Sequence, residues 1–425
     1  MSKTVIEDGP PAKAASPPAR AAVSLIVMLT LTTLLSQFYR SSSTVIAPEL
    51  IRDLRLTPEM LGFANACFFL ALLAVQIPVG LLFDRIGARL TVVGLSVAAV
   101  GGALLHAWVE SGAGLAMARF LLGIGHGASF MATIFLISRW WPRERWSQTI
   151  SWVFASSMLG VMLAGTPLAI ASEWIGWRGA FLVMSLLSLT TGILFVIAVS
   201  DDPPGRAVPL RQHERFSTAL YGFIEVMQLP GLWRILGLQF VAYAVMASIM
   251  GLWAGPYLND VHGFTVRERG DTLIAMALAQ TIGTLAFGPL DRLFNTRKWV
   301  AVAGALATIA TLLALAASPR PPTWFAVALM VVLCAVSSYG VMVVTHARSL
   351  YPDHLAGRGT TTANIAQLIG CALIPLGTGF IPSLFPVTAA GYAPAAYQLI
   401  FAAIAGSLAL GLVIYLTAKD VRPKS

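Results

Sequence analysis

Charge is scarce in this chain. Asp, Glu, Lys and Arg make up 11% of its 425 residues, against roughly 25% in a soluble domain. The hydrophobic fraction is 57% and the mean hydropathy +0.77. A water-soluble globule is excluded by this balance, and an integral membrane protein is implied. Carboxylates are the scarcer sign: Lys and Arg number 28 against 19 Asp and Glu, a net charge of +9. Proteins that grip a phosphate backbone cluster their cations on one face or in a tail. Here the cations recur between apolar runs, so no nucleic-acid partner is expected.

Cysteine is nearly absent too. Cys67, Cys334 and Cys371 each lie inside an apolar run, without CxxC spacing or a second metal ligand nearby, which argues against a disulfide framework and against a zinc site. The sequence also lacks a Walker loop and a GxSxG nucleophile elbow, so primary pumping and catalysis have no parts to work with. Neither an enzyme nor a cofactor is expected. Residues 1–20 contain no apolar signal-peptide core, which makes the first apolar run a retained span and the tail before it disordered.

What the chain has in abundance is apolar runs of the length that crosses a bilayer, about 20 residues each. Twelve are legible, near 21–47, 58–80, 89–108, 114–138, 148–170, 179–199, 233–254, 271–288, 299–317, 323–346, 360–384 and 395–417. They predict an all-α membrane protein of two parallel six-helix bundles, 21–200 and 233–417. A cytoplasmic tail (1–20), an interdomain linker (201–232) and a second tail (418–425) complete it. Within the linker, Phe216, Leu220, Phe223 and Met227 recur at helical spacing, which predicts a short helix lying on the membrane surface. Arg52, Arg55, Arg178, Arg267, Arg269 and Arg320 fall on one side of the twelve-span topology and most other cations on the opposite side. By the positive-inside rule the richer side, with both termini, is cytoplasmic.

The halves repeat. "APELIRDLRLTPEMLG" (47–62) matches "GPYLNDVHGFTVRERG" (255–270) at an offset of 208, pairing Pro48 with Pro256, Leu50 with Leu258, Thr57 with Thr265 and Gly62 with Gly270. Asp84 pairs with Asp291 and Pro142 with Pro352 at similar offsets. Parallel repeats of six helices place a substrate near the midplane between the halves, which rock around it.

"GLLFDRIGAR" (80–89) has the form G-x-L-x-D-R-x-G-x-R and resembles the loop signature of the major facilitator superfamily. Gly80 is expected to let helices approach, Gly87 to make the turn, and Asp84, Arg85 and Arg89 to form a charge cluster. The resemblance implies that this cluster, with its weaker second copy around Asp291 and Arg292, latches the cytoplasmic side. "ARFLLGIGHGASF" with "SRWWPRERWSQTISW" is similar to the anion:cation symporters and organophosphate permeases of that superfamily. In those groups an arginine stands in the first helix eight residues before a proline, as Arg40 stands before Pro48, and the resemblance implies that Arg40 binds an anionic substrate group. The offset of 208 carries Arg40 to Ser248, so the second arginine of the organophosphate permeases is missing. His126 stands where the symporters have a glutamate.

A charge at the bilayer centre costs about 2.5–3.5 kcal/mol on insertion scales, so intramembrane polar residues mark pathways. Gln37, Ser41 and Thr44 form a polar stripe with Arg40 that is expected to face a cavity. Gln239, Tyr243, Gln280, Asn364 and Gln367 are the neutral candidates of the second half for orienting a ligand. His126, whose imidazole can titrate near neutral pH, and Arg119 are the candidates for proton coupling. Trp140, Trp141, Trp146, Trp174, Trp177 and Trp253 sit near span ends, as interfacial rings do. The expectation is a monomeric carrier in a bacterial inner membrane that moves a small organic anion by alternating access, coupled to a proton or a counter-substrate. The alternatives are a drug or metabolite exporter exchanging against protons, and a non-transporting sensor on the same fold.

Overall fold

The computed structural model describes residues 19–203, 224–352, 355–386 and 391–421. Phe216, Leu220 and Phe223 of the predicted surface helix lie outside these residues, as do most of both tails. The elements are α1 (Arg20–Leu54), α2 (Pro58–Ile86), α3 (Ala88–Trp108) and α4 (Gly112–Trp140), followed by one continuous stretch, Glu144–Ala198. At about 1.5 Å per residue the 55 residues of that stretch reach about 80 Å, far more than one bilayer. It breaks at Gly176, where φ is 71°, and its two limbs are α5 and α6. The second half contains α7 (Leu232–His262), α8 (Val266–Leu293), α9 (Lys298–Ala317), α10 (Thr323–Arg348), α11 (Arg358–Leu384) and α12 (Pro394–Leu416). The twelve passes agree with the twelve apolar runs.

Helices are the spanning solution because the backbone must satisfy its own hydrogen bonds where water is absent. Their ends are written in the sequence. Thr57 caps α2 by accepting from the Met60 N–H, Ser111 caps α4 by accepting from Gly114, and Thr265 with Glu268 forms a reciprocal capping box at α8. Gly87 turns the chain between α2 and α3 at a φ of 90°, a conformation that a Cβ disfavours. α7 contains one wider turn, a π-helical segment at Ile249–Trp253.

Two apolar cores show how the halves meet. The smaller lies wholly in the first half near the chain termini and includes Leu25, Met28, Val79, Phe83, Leu136 and Phe195. The larger runs without interruption from α1 and α2, through Phe38, Leu50 and Phe68, into α7, α8 and α11 of the second half. The halves are therefore fused at the end of the molecule far from the termini. Glycines set the spacing of that seam. A Cβ on Gly255 would lie 1.6 Å from the Thr44 carbonyl oxygen, one on Gly62 would lie 2.8 Å from the Pro375 carbonyl, and one on Gly270 would lie 2.7 Å from the Thr166 nitrogen.

A branched side chain at Gly255 cannot be accommodated without parting α1 from α7. Gly255→Val is expected to widen the far end, read as a longer distance between spin labels on the exposed positions Arg52 and Arg267 in the two halves. An unchanged distance would show that the seam does not depend on this contact.

Candidate functional site

Along α1 the residues Gln37, Arg40 and Ser41 share one helical face. The structure turns that face toward α7 and α8, where Tyr243, Met246, Ala247, Met250, Gly251 and Gln280 complete a cleft between the halves together with Phe69 and Val161. The cleft holds about 390 Å³ counting its mouth, but room for the centres of water molecules is only about 30 Å³. That admits a few waters at most, so the walls must part to admit a metabolite.

Arg40 is the cation of this cleft. Its guanidinium lies 5.9 Å from the centre of the Phe69 ring, and Nε is buried with no hydrogen-bond partner among the described residues. No carboxylate pairs with it among those residues. Low-dielectric surroundings make an uncompensated charge expensive.

Thr44, one turn further on, is not a cleft residue. It is buried, and its hydroxyl donates to the Met250 carbonyl within the π-helical turn of α7. Across the seam the lining triplets Gln37, Arg40, Ser41 and Tyr243, Met246, Ala247 have the same internal spacing and differ by 206. The predicted counterpart of Arg40, Ser248, is fully buried and does not line the cleft; Met246 takes the place instead. The wide turn at Ile249–Trp253 lies between this register and the offset of 208 that holds beyond it, and accounts for one residue of that two-residue difference. The second half supplies no cation in either register.

The remaining candidates are placed elsewhere. Gln239 and Gln367 engage each other, the Gln239 amide donating to the Gln367 oxygen at 2.9 Å, and so join α7 to α11 outside the cleft lining. Asn364 is half-buried on α11 and is likewise no part of that lining. Arg119 is buried at 1% exposure. It donates to the Tyr39 carbonyl at 2.6 Å and to the Asn65 side chain at 2.7 Å, with the Phe68 ring 5.0 Å away. This is a tie between α4, α1 and α2 that holds the backbone immediately before Arg40. Gly123 lets the helices close around it, since a Cβ there would lie 2.3 Å from the Phe68 carbonyl. His126 packs against the Tyr39 ring at 5.1 Å between centroids, and neither ring nitrogen has a partner among the described residues.

At the termini end, Gly80 departs from expectation. A Cβ there would meet only the flexible end of Met131 at 3.7 Å, an ordinary contact rather than a close helix crossing. Arg89 donates from its guanidinium to the Val196 carbonyl and from its backbone to Asp201 at 2.8 Å, which fastens α3 to the end of α6 within one half. Asp84 is half-buried and Arg85 exposed. In the second copy, Asp291 is buried and pairs with Arg297 at 3.3 Å, whereas Arg292 is exposed. Trp253 departs as well: it is fully buried and donates to Thr378 at 2.9 Å. Trp174, by contrast, is 82% exposed, as an interfacial ring would be.

Several residues of the closed end were not anticipated as a group. Arg269, 2% exposed, pairs with Glu49 of the other half at 2.5 Å, and the Thr166 hydroxyl donates to Asp271. The only sequence signal for the pair was opposite charge at the same end of α1 and α8, and Arg269 read as a topological cation. Asn65 had an available signal, an amide in the middle of an apolar run.

Twelve passes in two pseudo-equivalent halves, with a polar cleft where the halves meet, define a membrane carrier built for rocking motion. The family model for the Major Facilitator Superfamily matches residues 29–375, and the chain belongs to that family. It is 22% identical over 292 residues to a hexuronate transporter of Escherichia coli, covering 65% of this chain and 66% of that protein's length. It is 22% identical over 312 residues to a galacturonate transporter of Dickeya chrysanthemi, covering 67% of this chain and 88% of that one. Among solved structures, a bacterial homologue of the human lysosomal transporter Spinster, inward-facing and unoccupied, superposes with a TM-score of 0.72 at 19% identity, over 95% of this chain and 96% of that one.

Removing Arg119 leaves the Asn65 oxygen buried without its partner and takes from the Tyr39 carbonyl one of its donors, the Ser42 hydroxyl remaining. Arg119→Leu is expected to lower stability by about 1–3 kcal/mol, seen as an earlier thermal unfolding midpoint. Asn65→Ala should add little in that background because both changes act on the same bond. Full additivity would contradict the assignment.

Proposed function

We propose that this protein is a secondary active transporter that carries a small organic anion through the cleft at Arg40 by alternating access, driven by proton symport or by exchange. The observation that carries the reading is a partly buried guanidinium with no counter-ion among the described residues, set between two halves that can move about it. Hydrogen-bonding groups at Gln37, Ser41, Tyr243 and Gln280 stand around it to orient the rest of a ligand. Relatives whose names specify hexuronate and galacturonate, both carboxylates, support the same chemistry.

One cation suits one acidic group, with neutral donors and acceptors for the remainder. Binding such a group removes the cost of the bare charge, so substrate entry and closure of the halves reinforce each other. Coupling to a proton falls to His126, which lies against the residue preceding Arg40. Arg119 serves this centre by fixing the α1 backbone through the Tyr39 carbonyl. Gln239, Gln367 and Asn364 act behind the cleft by setting the α7–α11 packing. Asp84, Arg85 and Arg89, with Asp291 and Arg292, work at the opposite gate.

Orientation follows from charge. The end with most cations, where the chain termini lie, is assigned to the cytoplasm, which places the sealed end outside. The shape then corresponds to a carrier shut to the exterior.

Arg40→Ala is expected to abolish uptake of sugar acids and other small carboxylates into proteoliposomes with expression unchanged, while Arg40→Lys keeps part of it. A thermal-shift screen against carboxylates, phosphates and cations identifies the ligand class, because a ligand that binds the native state raises its melting point. Normal transport by Arg40→Ala would overturn the anion reading.

A further inference from the structure

In the second half, α11 and α12 both pack on α7 but scarcely on each other. The gap between them is a groove of about 1270 Å³ counting its open mouth. Its floor is Gly237 and Val241 of α7, and its walls include Ala366 and Ile369 of α11 and Ser407 and Leu410 of α12. Leu410 is 70% exposed, so the groove opens outward from the bundle, into the surrounding bilayer. The hydroxyls in its walls are already used: Thr362 donates to the Arg358 carbonyl and Ser407 to the Ala403 carbonyl. A lining without free polar groups fits a hydrocarbon chain and nothing hydrogen-bonding.

Its extent fits one leaflet. Along α11 the lining runs from Thr362 to Ile374, about 18 Å at the helical rise, against about 15 Å for half the hydrocarbon thickness. The groove begins at the termini end, beside Met227 and Trp233, and the indole of Trp233 donates to the Met227 carbonyl at 2.9 Å. Trp at such a place marks headgroup depth. Cations gather at the same mouth. Arg234, next to Trp233, reaches the Thr417 carbonyl at 3.1 Å just past the wall residue Ile414, and Lys298 reaches the neighbouring Leu416 carbonyl at 2.7 Å. Lys419 is exposed. The carboxylate of Asp420 is already engaged by the Thr296 hydroxyl and the Lys298 backbone N–H. Each guanidinium or ammonium has donors to spare for a phosphate.

We propose that this groove is a binding site for an anionic phospholipid of the termini-side leaflet. One acyl chain lies between α11 and α12, and the phosphate is held by Arg234 and Lys419. The lipid would take the place of the missing α11–α12 contact and brace α7 against α11, the two helices that the Gln239–Gln367 bond joins on their other side.

The test uses the purified full chain, dioleoyl phosphatidylglycerol and dioleoyl phosphatidylcholine, and native mass spectrometry of retained lipid alongside thermal unfolding. The unmodified protein should retain one phosphatidylglycerol and melt higher with it than with phosphatidylcholine. Ser407→Phe, which fills the groove, should lose both the retained lipid and the difference in melting. Arg234→Gln with Lys419→Gln should keep a lipid but lose the preference for the anionic headgroup, worth about five-fold for each basic residue near the surface. A Ser407→Phe protein that retains phosphatidylglycerol like the unmodified chain overturns the groove assignment. An undiminished anionic preference in the double variant overturns the headgroup assignment, and that variant also serves if Ser407→Phe fails to fold. Neither result depends on what the cleft at Arg40 carries.

Discussion

The molecule depends on how closely α1 can approach α7. At Gly255 the absence of a side chain lets the helix backbone sit against the Thr44 carbonyl, and Thr44 in turn donates its hydroxyl to the Met250 carbonyl. That contact lies about one turn from Arg40 and fixes the width of the cleft around it. With little apolar driving force between helices in lipid, such contacts rely on packing and hydrogen bonding, which small residues favour. The Gly62 and Gly270 crossings extend the same principle to α2 against α11 and α5 against α8. Three helices from each half thus meet at one end, and the cleft is the space left just below their junction.

The repeat explains the symmetry of this seam and also its one asymmetry. Gly62 and Gly270 are equivalent in sequence, and each is the close-contact residue of its helix. Thr57 and Thr265 are equivalent, and each caps the helix that follows it. Charge breaks the pattern. Arg40 faces Met246, and Glu49 of one half faces Arg269 of the other. Symmetric backbones give a motion that both halves can share, while unequal side chains place the cation of the cleft in one of them.

Much of this was legible in the sequence for simple reasons. Span length, the position of Pro and Gly, and the capping threonines are local signals, and the fold follows from them. The polar face Gln37, Arg40 and Ser41 was legible because helical periodicity is local too. Partnerships were not. Thr44 shares that face but is drawn to a carbonyl exposed by a wide turn in another helix, and Gln239 spends its amide on Gln367. Gly80 sat in a recognisable motif, yet its neighbour is a flexible methionine rather than a helix backbone. The full register of α7 is not legible, in part because a π-helical turn leaves no clear mark in composition. Arg119 shows the opposite case: its residue type announced importance, and only the structure shows that it grips the Tyr39 carbonyl.

The lone cation also has an electrical consequence. On the proposed reading a bound monoanion balances the charge of Arg40, which is otherwise carried bare through any motion that shifts the site within the membrane field. Moving an elementary charge through 100 mV is worth about 2.3 kcal/mol. On that reading the return of the unloaded carrier moves one more positive charge than the loaded step, apart from any co-transported proton, and responds to voltage by that much more.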